Sequence, residues 1–396
     1  MSPPHIGDAE RRARLMWRHH LARDSRIDDP ARIADDLVGL HSSDPATVYL
    51  SLWARMRTPS VAGVRAALDG ELLRHHAMRR TLWVMSPPVA RAAHAASTAG
   101  LAAEQWRRLA GLVHDSGIAD DGAAWCRDAR EELLDALRAQ GAPTSARALG
   151  RLVPRLAAPL QLAVGKPYAG TQGAHSRLLM CLAFDGAVTR FSPERTWNSG
   201  EYLWGPMEAR LPEGIAGMDA MEARAAIAHR YLWAFGPATT DDVRWWTGWT
   251  KTHTVRALAD AGSLPCTTEA GAAWLAHDDR SDSGEPEARG AAFLPSLDPT
   301  AMGWRHRGFA HGELTEMLGP LCDRAGNVGP TVWLDGAIVG GWGQRPDGEV
   351  VYRTLAPVPA RRRRELDAAA AELTGLMDGT VVKPRFPTAL AKELAA

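Results

Sequence analysis

The chain has 396 residues, 45% of them hydrophobic and 23% charged, with 46 basic and 46 acidic side chains in balance. That length holds two to four domains with their own cores, and no run of about 18 apolar residues offers a membrane span. Zero net charge argues against a uniformly basic nucleic-acid binder, and Cys126, Cys181, Cys266 and Cys322 are scattered without metal-ligand spacing, as expected of free thiols in a reduced cytoplasm.

The N-terminal residues carry no apolar h-region, so no signal peptide is expected. Only Lys166, Lys251, Lys383 and Lys392 are lysines, so 42 of the 46 cations are arginine. Arginine is the better bidentate phosphate ligand. A GC-rich coding bias yields the same excess, so charge alone decides nothing.

In chain order, a helix is predicted around Arg11 to Asp24 and another from Pro30 to about Leu40, where Ile33, Leu37, Val38 and Leu40 recur at helical spacing. Asp44-Pro45 announces the next, a carboxylate at the N-cap followed by proline at the first helical position. Between them lies a short polar turn, His41-Ser42-Ser43. Two helices joined by such a turn are the supersecondary unit of many DNA-binding domains. Val61 to Leu68 adds a helix, and strands are predicted near Leu72–His75 and Thr81–Val84. Ala90 to Leu112 reads as one long helix.

A second unit follows the same order. An amphipathic helix runs from Ala124 to Ala139 and stops at Gly141, a short helix starts at Pro143-Thr144-Ser145, and a third spans Gln172 to Asp185. Two strands then flank the polar loop Ser192–Gly200. In a third unit, helices are predicted over Met221–Ala234, Thr239–Thr247 and Thr250–Ala261, with extended segments around an acidic loop at 281–290. Trp245, Trp246 and Trp249 read as aromatic core. Three helices with a two-stranded tail make a winged helix, and the order occurs three times. From Phe293 short β-rich runs with Asp335-Gly336 and Pro346-Asp347-Gly348 turns predict a small sheet or barrel, then a helix from Ala360 to Met377.

Five segments together resemble the AlkZ-like family of winged helix DNA glycosylases: LVGLHSSDP with LSLWARM (37–56), MRRTLWVM (78–85), RYLWAFGPATTDDVRWWTG (230–248), FLPSLDPTAMGWRHR (293–307) and VWLDGAIVGGWG (332–343). The resemblance implies a mainly α fold with β, built as three tandem winged helix domains followed by a small C-terminal β-barrel. The divisions expected are 1–90, a connecting helix over 91–123, then 124–210, 211–292 and 293–396. It also implies hydrolysis of the N-glycosidic bond of bulky N7-alkylated purines in double-stranded DNA, interstrand cross-links included.

In that family the opening turn carries a glutamine, a hydrophobic or small residue, and a glutamine or aspartate; His41, Ser42 and Ser43 take those places. Neither glutamine is present. His41 and Ser43 become the candidate catalytic pair, since a neutral imidazole accepts a proton near pH 7, with Asp44 adding negative potential against a cationic transition state. Asp44 reads first as a plain helix cap that can serve both roles, His41 also as a buried or phosphate-contacting histidine, and Ser42 and Ser43 as phosphate contacts. Arg79, Arg80, Arg190, Arg195, Trp197 and Asn198 are the further DNA-binding candidates, the last four as part of a wing reaching a groove. The bland readings are solvated charges, exposed turns and core.

No lysine is near residues 41–44 in sequence, which predicts a monofunctional enzyme without a Schiff base. His19-His20 and His75-His76 lack ligand partners, so neither metal nor cofactor is expected, and no obligatory protein partner is inferred. The competing reading is a non-catalytic winged helix DNA-binding protein, a regulator or lesion-binding shield.

Overall fold

The computed structural model describes residues 2–166, 169–279, 289–311 and 318–396. The acidic loop expected at 281–290 lies outside them except for its last two residues. The first part of the chain forms α1 (Asp8–Arg18), α2 (Pro30–Asp36), β1 (Leu40–His41), α3 (Pro45–Trp53), α4 (Val61–Gly70), β2 (Leu73–His76), β3 (Leu82–Met85), α5 (Pro87–Ala93) and α6 (Ala99–Asp115). Asp29 and Asp44 cap α2 and α3 by accepting the backbone N–H groups of Arg32 and Ala46, each followed by proline.

The first correction falls here. The helix expected to reach Leu40 ends at Asp36, because Val38 and Gly39 adopt φ of +58° and +127°, which helical backbone cannot carry. A Cβ on Gly39 would lie 2.8 Å from Met85 Cγ. The chain is thereby pressed against β3 and pairs with it, Leu40 opposite Val84 and His41 opposite Trp83. His41 therefore ends a strand and does not sit in an interhelical turn. The long helix expected from Ala90 does run on, α5 continuing into α6 through a π-helical segment over His94–Thr98.

The middle of the chain contains α7 (Gly122–Gln140), β4 (Thr144–Ser145), α8 (Ala146–Leu152), β5 (Pro159–Leu162), β6 (Gly170–Gly173), α9 (Ala174–Asp185), β7 (Val188–Phe191) and β8 (Leu203–Pro206). Gly141 stops α7 at φ +62°, as its position predicts. Strands of the first two units merge into one six-stranded sheet in the order β1-β3-β2-β7-β8-β4. The link between the halves is one pair in register, Arg74 of β2 opposite Arg190 of β7.

Next come α10 (Ala220–Phe235), α11 (Thr240–Thr247), α12 (Lys251–Asp260) and the hairpin β9 (Leu264–Thr268) with β10 (Gly271–Leu275). A capping box between Thr239 and Asp242 starts α11. Trp246 and Trp249 are core, packed with Trp83, Tyr231 and Phe235, while Trp245 is half-buried at its edge.

The last part comprises β11 (Ala291–Leu294), α13 (Pro299–Met302), α14 (Gly308–His311), α15 (Leu318–Leu321), β12 (Thr331–Leu334), β13 (Ala337–Gln344), β14 (Val350–Thr354), α16 (Ala360–Met377) and α17 (Ala389–Leu394). Its strands form an open antiparallel sheet, β11-β12-β13-β14, and no closed barrel occurs among the described residues. The glycines that suggested a barrel serve close approach instead: a Cβ on Gly340 would meet the Arg353 carbonyl oxygen at 2.1 Å. This sheet and α16 share a core with α2, α3 and α4 through Ile33, Leu52, Trp342 and Leu366. The C-terminal elements thus brace α3 directly.

Candidate functional site

Pairing in the six-stranded sheet sorts the candidate residues onto two faces, since side chains alternate along each strand. One rank runs Leu40, Val84, Arg74, Arg190, Trp204, with Leu82 and His76 one step along on the same face. The Ser42 backbone N–H continues the ladder by donating to the Leu82 carbonyl at 2.8 Å, which puts Ser42 on this face too. His41, Trp83 and His75 fall on the other.

The first face floors an open polar cavity of about 920 Å³. Ser42, Ser43 and Pro45 line one side, Arg80 and Thr81 another, and Arg195, Tyr202 and Arg385 the rim. Arg190 is buried beneath it, donating from both Nη atoms to His76 Nε2 at 3.2 Å and lying 4.2 Å over the Trp204 ring. Burial pulls its guanidinium down to about 10, so it stays charged at neutral pH. Arg74 stacks 4.9 Å over Tyr202, and its Nε has no partner. Tyr202 Oη lies 3.4 Å from Ser42 Oγ. Arg80 faces Glu104 at 3.9 Å, whereas Arg147, Arg195 and Arg385 make no ion pair among the described residues. Glu194 and Glu201 are the acidic groups of the lining, and no lysine lines it. A preponderance of cations around a polar hollow suits a polyanion.

His41 is 4% exposed and does not line the cavity. Its ring lies 5.1 Å from that of Trp83. Burial, then the Arg79 guanidinium, pulls the imidazole down to about 3. It is neutral at pH 7 and a far weaker base than a free histidine. Its Nδ1 accepts the Ser43 N–H at 3.5 Å, so the ring touches the cavity only through the backbone of Ser43. Asp44 is buried and bonded on both oxygens, Oδ1 to the Ala46 N–H at 3.2 Å and Oδ2 to the Arg385 N–H at 2.9 Å. Burial pushes its carboxyl up, and these two donors oppose that. The helix-cap reading is the one its bonds express.

Of the remaining candidates, Arg80, Arg190 and Arg195 meet at the cavity. Arg79 does not: it holds φ +53° and stacks 4.4 Å over Trp245. Trp197 does not reach a groove. It packs 5.2 Å from Tyr49 and 5.1 Å from Trp53 on α3, so the loop predicted to project as a wing folds back, with Asn198 half-buried on it. Two residues that the sequence left unmarked as site candidates matter as much, His76 in the lining and Arg74 behind Tyr202. Their signal was the alternation of Leu73–His76, which sets both on one face. Arg385, 341 residues from Asp44, had no local signal.

The expectation about lysines also changes. Lys383 lies in the same segment as Arg385 and lines a neighbouring apolar cavity of about 570 Å³ together with Asp44. Elsewhere His229, His277 and Asp278 bring ligand atoms within 4.8 Å of one another, with His229 Nε2 and Asp278 Oδ1 hydrogen-bonded at 2.9 Å. None of these three lines the cavity.

The AlkZ-like DNA glycosylase family model matches residues 34–376, and the chain belongs to that family of DNA-repair enzymes. Its fold is similar to that of Streptomyces sahachiroi DNA glycosylase AlkZ, with TM-score 0.69 and 20% identity over 94% of this chain and 98% of that one. No curated protein matches it. The chain is a DNA glycosylase, and no helix among the described residues is long and apolar enough to cross a membrane.

Proposed function

We propose that this enzyme is a monofunctional glycosylase for bulky N7-alkylated purines, cross-linked ones included, and that the 920 Å³ cavity receives the damaged nucleotide. The observation that carries the reading is an open, arginine-rich hollow with Ser42 and Ser43 at its wall and no lysine in its lining. A bulky or cross-linked base is hard to extrude into a sealed pocket, and an open one accommodates it. The three helix–strand units are read as winged helix modules along the duplex.

An N7-alkylpurine is already cationic. Its C1′–N9 bond breaks with the electron pair leaving on the base, and little acid assistance is needed. What remains is to hold a water for attack on C1′ and to favour the oxocarbenium-like sugar. In this reading Ser43 holds the water. His41, with Nδ1 unprotonated, fixes Ser43 and is not itself the proton acceptor, since an imidazole pulled down to about 3 is too weak a base. Asp44 fixes the same segment and adds negative potential from the start of α3. The water's proton leaves to solvent through the open cavity, whose lining includes the exposed Glu194 and Glu201.

A duplex carrying one labelled bulky N7-alkylguanine tests this under single-turnover conditions. Wild type releases free base and leaves an intact abasic strand. His41→Ala and Ser43→Ala each slow release by roughly 10²-fold, the lower end expected for lost acid–base or water-positioning help. Tight binding without release would overturn the substrate class and leave a lesion-binding protein for that adduct. Strand cleavage coupled to release would overturn the monofunctional assignment.

A further inference from the structure

The family match ends at residue 376, yet the chain returns to the cavity beyond that point. After α16, residues 380–388 cross from the C-terminal sheet to the start of α3. The strap is held at one end by Gln344, whose Oε1 accepts the Val382 N–H at 2.7 Å while Nε2 donates to the Thr380 carbonyl at 2.9 Å. At the other end Thr388 caps α17. In the middle, the Arg385 N–H donates to Asp44 Oδ2 at 2.9 Å and its Nη1 donates to the Ser43 carbonyl at 3.0 Å. Pro384 and Pro387 stiffen this stretch by fixing φ. Their neighbours Arg385 and Phe386 line the polar cavity, while Lys383, Pro384 and Pro387 line the apolar one. The strap is the shared wall.

We propose that this C-terminal strap is a DNA-binding element, in which Arg385 holds a backbone phosphate beside the damaged nucleotide. The inference rests on the cavity being the DNA site proposed above. Of the five N–H donors of the guanidinium, one is spent on Ser43. Arg385 is exposed and its other donors make no ion pair among the described residues, although the guanidinium acts on Asp44 at longer range; the lining sets Arg80, Arg147, Arg190 and Arg195 beside it against Glu194 and Glu201. A phosphate is the ligand that such a fork fits bidentately. Arg74 and Arg190 are buried in the floor; Arg385 stands at the edge, where a sugar–phosphate backbone passes. Because its backbone N–H also completes Asp44, phosphate capture and the placement of Ser43 are mechanically one event.

Binding of an undamaged fluorescent duplex, measured from 50 to 200 mM salt, tests the strap without requiring any base release. Arg385→Gln keeps the backbone bond to Asp44. It is expected to leave the melting temperature unchanged, to weaken binding alike for all sequences, and to reduce the salt slope by about 0.9, the value of one phosphate contact. Arg385→Lys is expected to restore the slope. A Gln variant with wild-type affinity and slope overturns the proposal. So does one that binds less tightly with an unchanged slope and a lowered melting temperature, which would mark Arg385 as a strut. Should the wild type release no N7-alkylguanine, the substrate reading fails while this measurement still decides the strap.

Discussion

Acidification from pH 7 to pH 5 is expected to remove a large part of the folding stability of this protein. Burial pulls His41 and His76 down to about 3 and His94 to about 4, and holds His19 and His75 well below the ordinary histidine range. In the unfolded chain each titrates near 6.5. Between those values the unfolded state binds more protons, so the stability is complete above about pH 6.5 and falls as the pH drops toward the folded values. At 1.36 kcal/mol per unit, His41, His76 and His94 each lose about 2 kcal/mol by pH 5, a sizeable share of the roughly 5–15 kcal/mol typical of a folded protein; His19 and His75 act in the same direction. Asp44 and Asp185, whose carboxyls burial pushes up, act in the opposite sense and offset part of the loss. Urea unfolding followed by tryptophan fluorescence at pH 7.5, 6 and 5 reads this directly. A midpoint that holds steady to pH 5 means that these imidazoles are not sealed from water. His41→Asn removes one titrating group and should flatten the pH dependence by one proton.

The second large effect is at Asp298. Its carboxylate and the Arg55 guanidinium are both fully buried and bonded in parallel, at 2.7 Å to Nη2 and 2.9 Å to Nη1. The other three donors of Arg55 go to the Ser51 carbonyl, the His19 carbonyl and Thr300 Oγ1, while Asp298 also accepts from Ser51 Oγ. Arg55 sits just past α3, at the opposite end of that helix from Asp44. Asp298→Ala leaves a guanidinium in the core without its counter-ion, and a loss of about 3–5 kcal/mol is expected. The double variant Arg55→Met with Asp298→Leu should recover most of it, because an apolar pair of similar volume avoids the desolvation cost. Urea midpoints of the three proteins check both statements. An Ala variant within 1 kcal/mol of wild type would refute the sealed pair.

What could be read from the sequence was what neighbouring residues determine. Asp44-Pro45 marked a helix start, Gly141 a helix stop and Thr239–Thr247 a helix, and each is seen. The family itself was legible from short segments spread along most of the chain. The local reading failed where a distant partner decided the outcome. Helical periodicity carried through Leu37 to Leu40, but pairing with β3 won, and the two-residue strand that resulted is too short to leave a pattern of its own. That one change moved His41 to the face away from the cavity. The local signal against the helix was Gly39, which takes φ +127°. Trp197 looked like a wing residue until Tyr49 and Trp53 came within contact from 144 or more positions earlier. Lys383 and Arg385 were beyond any spacing argument.

One junction in the six-stranded sheet has a mechanical consequence. The two halves share a single backbone pair in register, and both of its members are arginines, Arg74 facing Arg190; Thr189 Oγ1 donates to the Arg74 carbonyl and Arg190 to His76 Nε2 across the same joint. Like charges directly opposite one another weaken a strand pair, and the side-chain bonds across the joint offset part of that. In the reading proposed above, a duplex held over the cavity sets negative charge above Arg190 and is expected to tighten this joint.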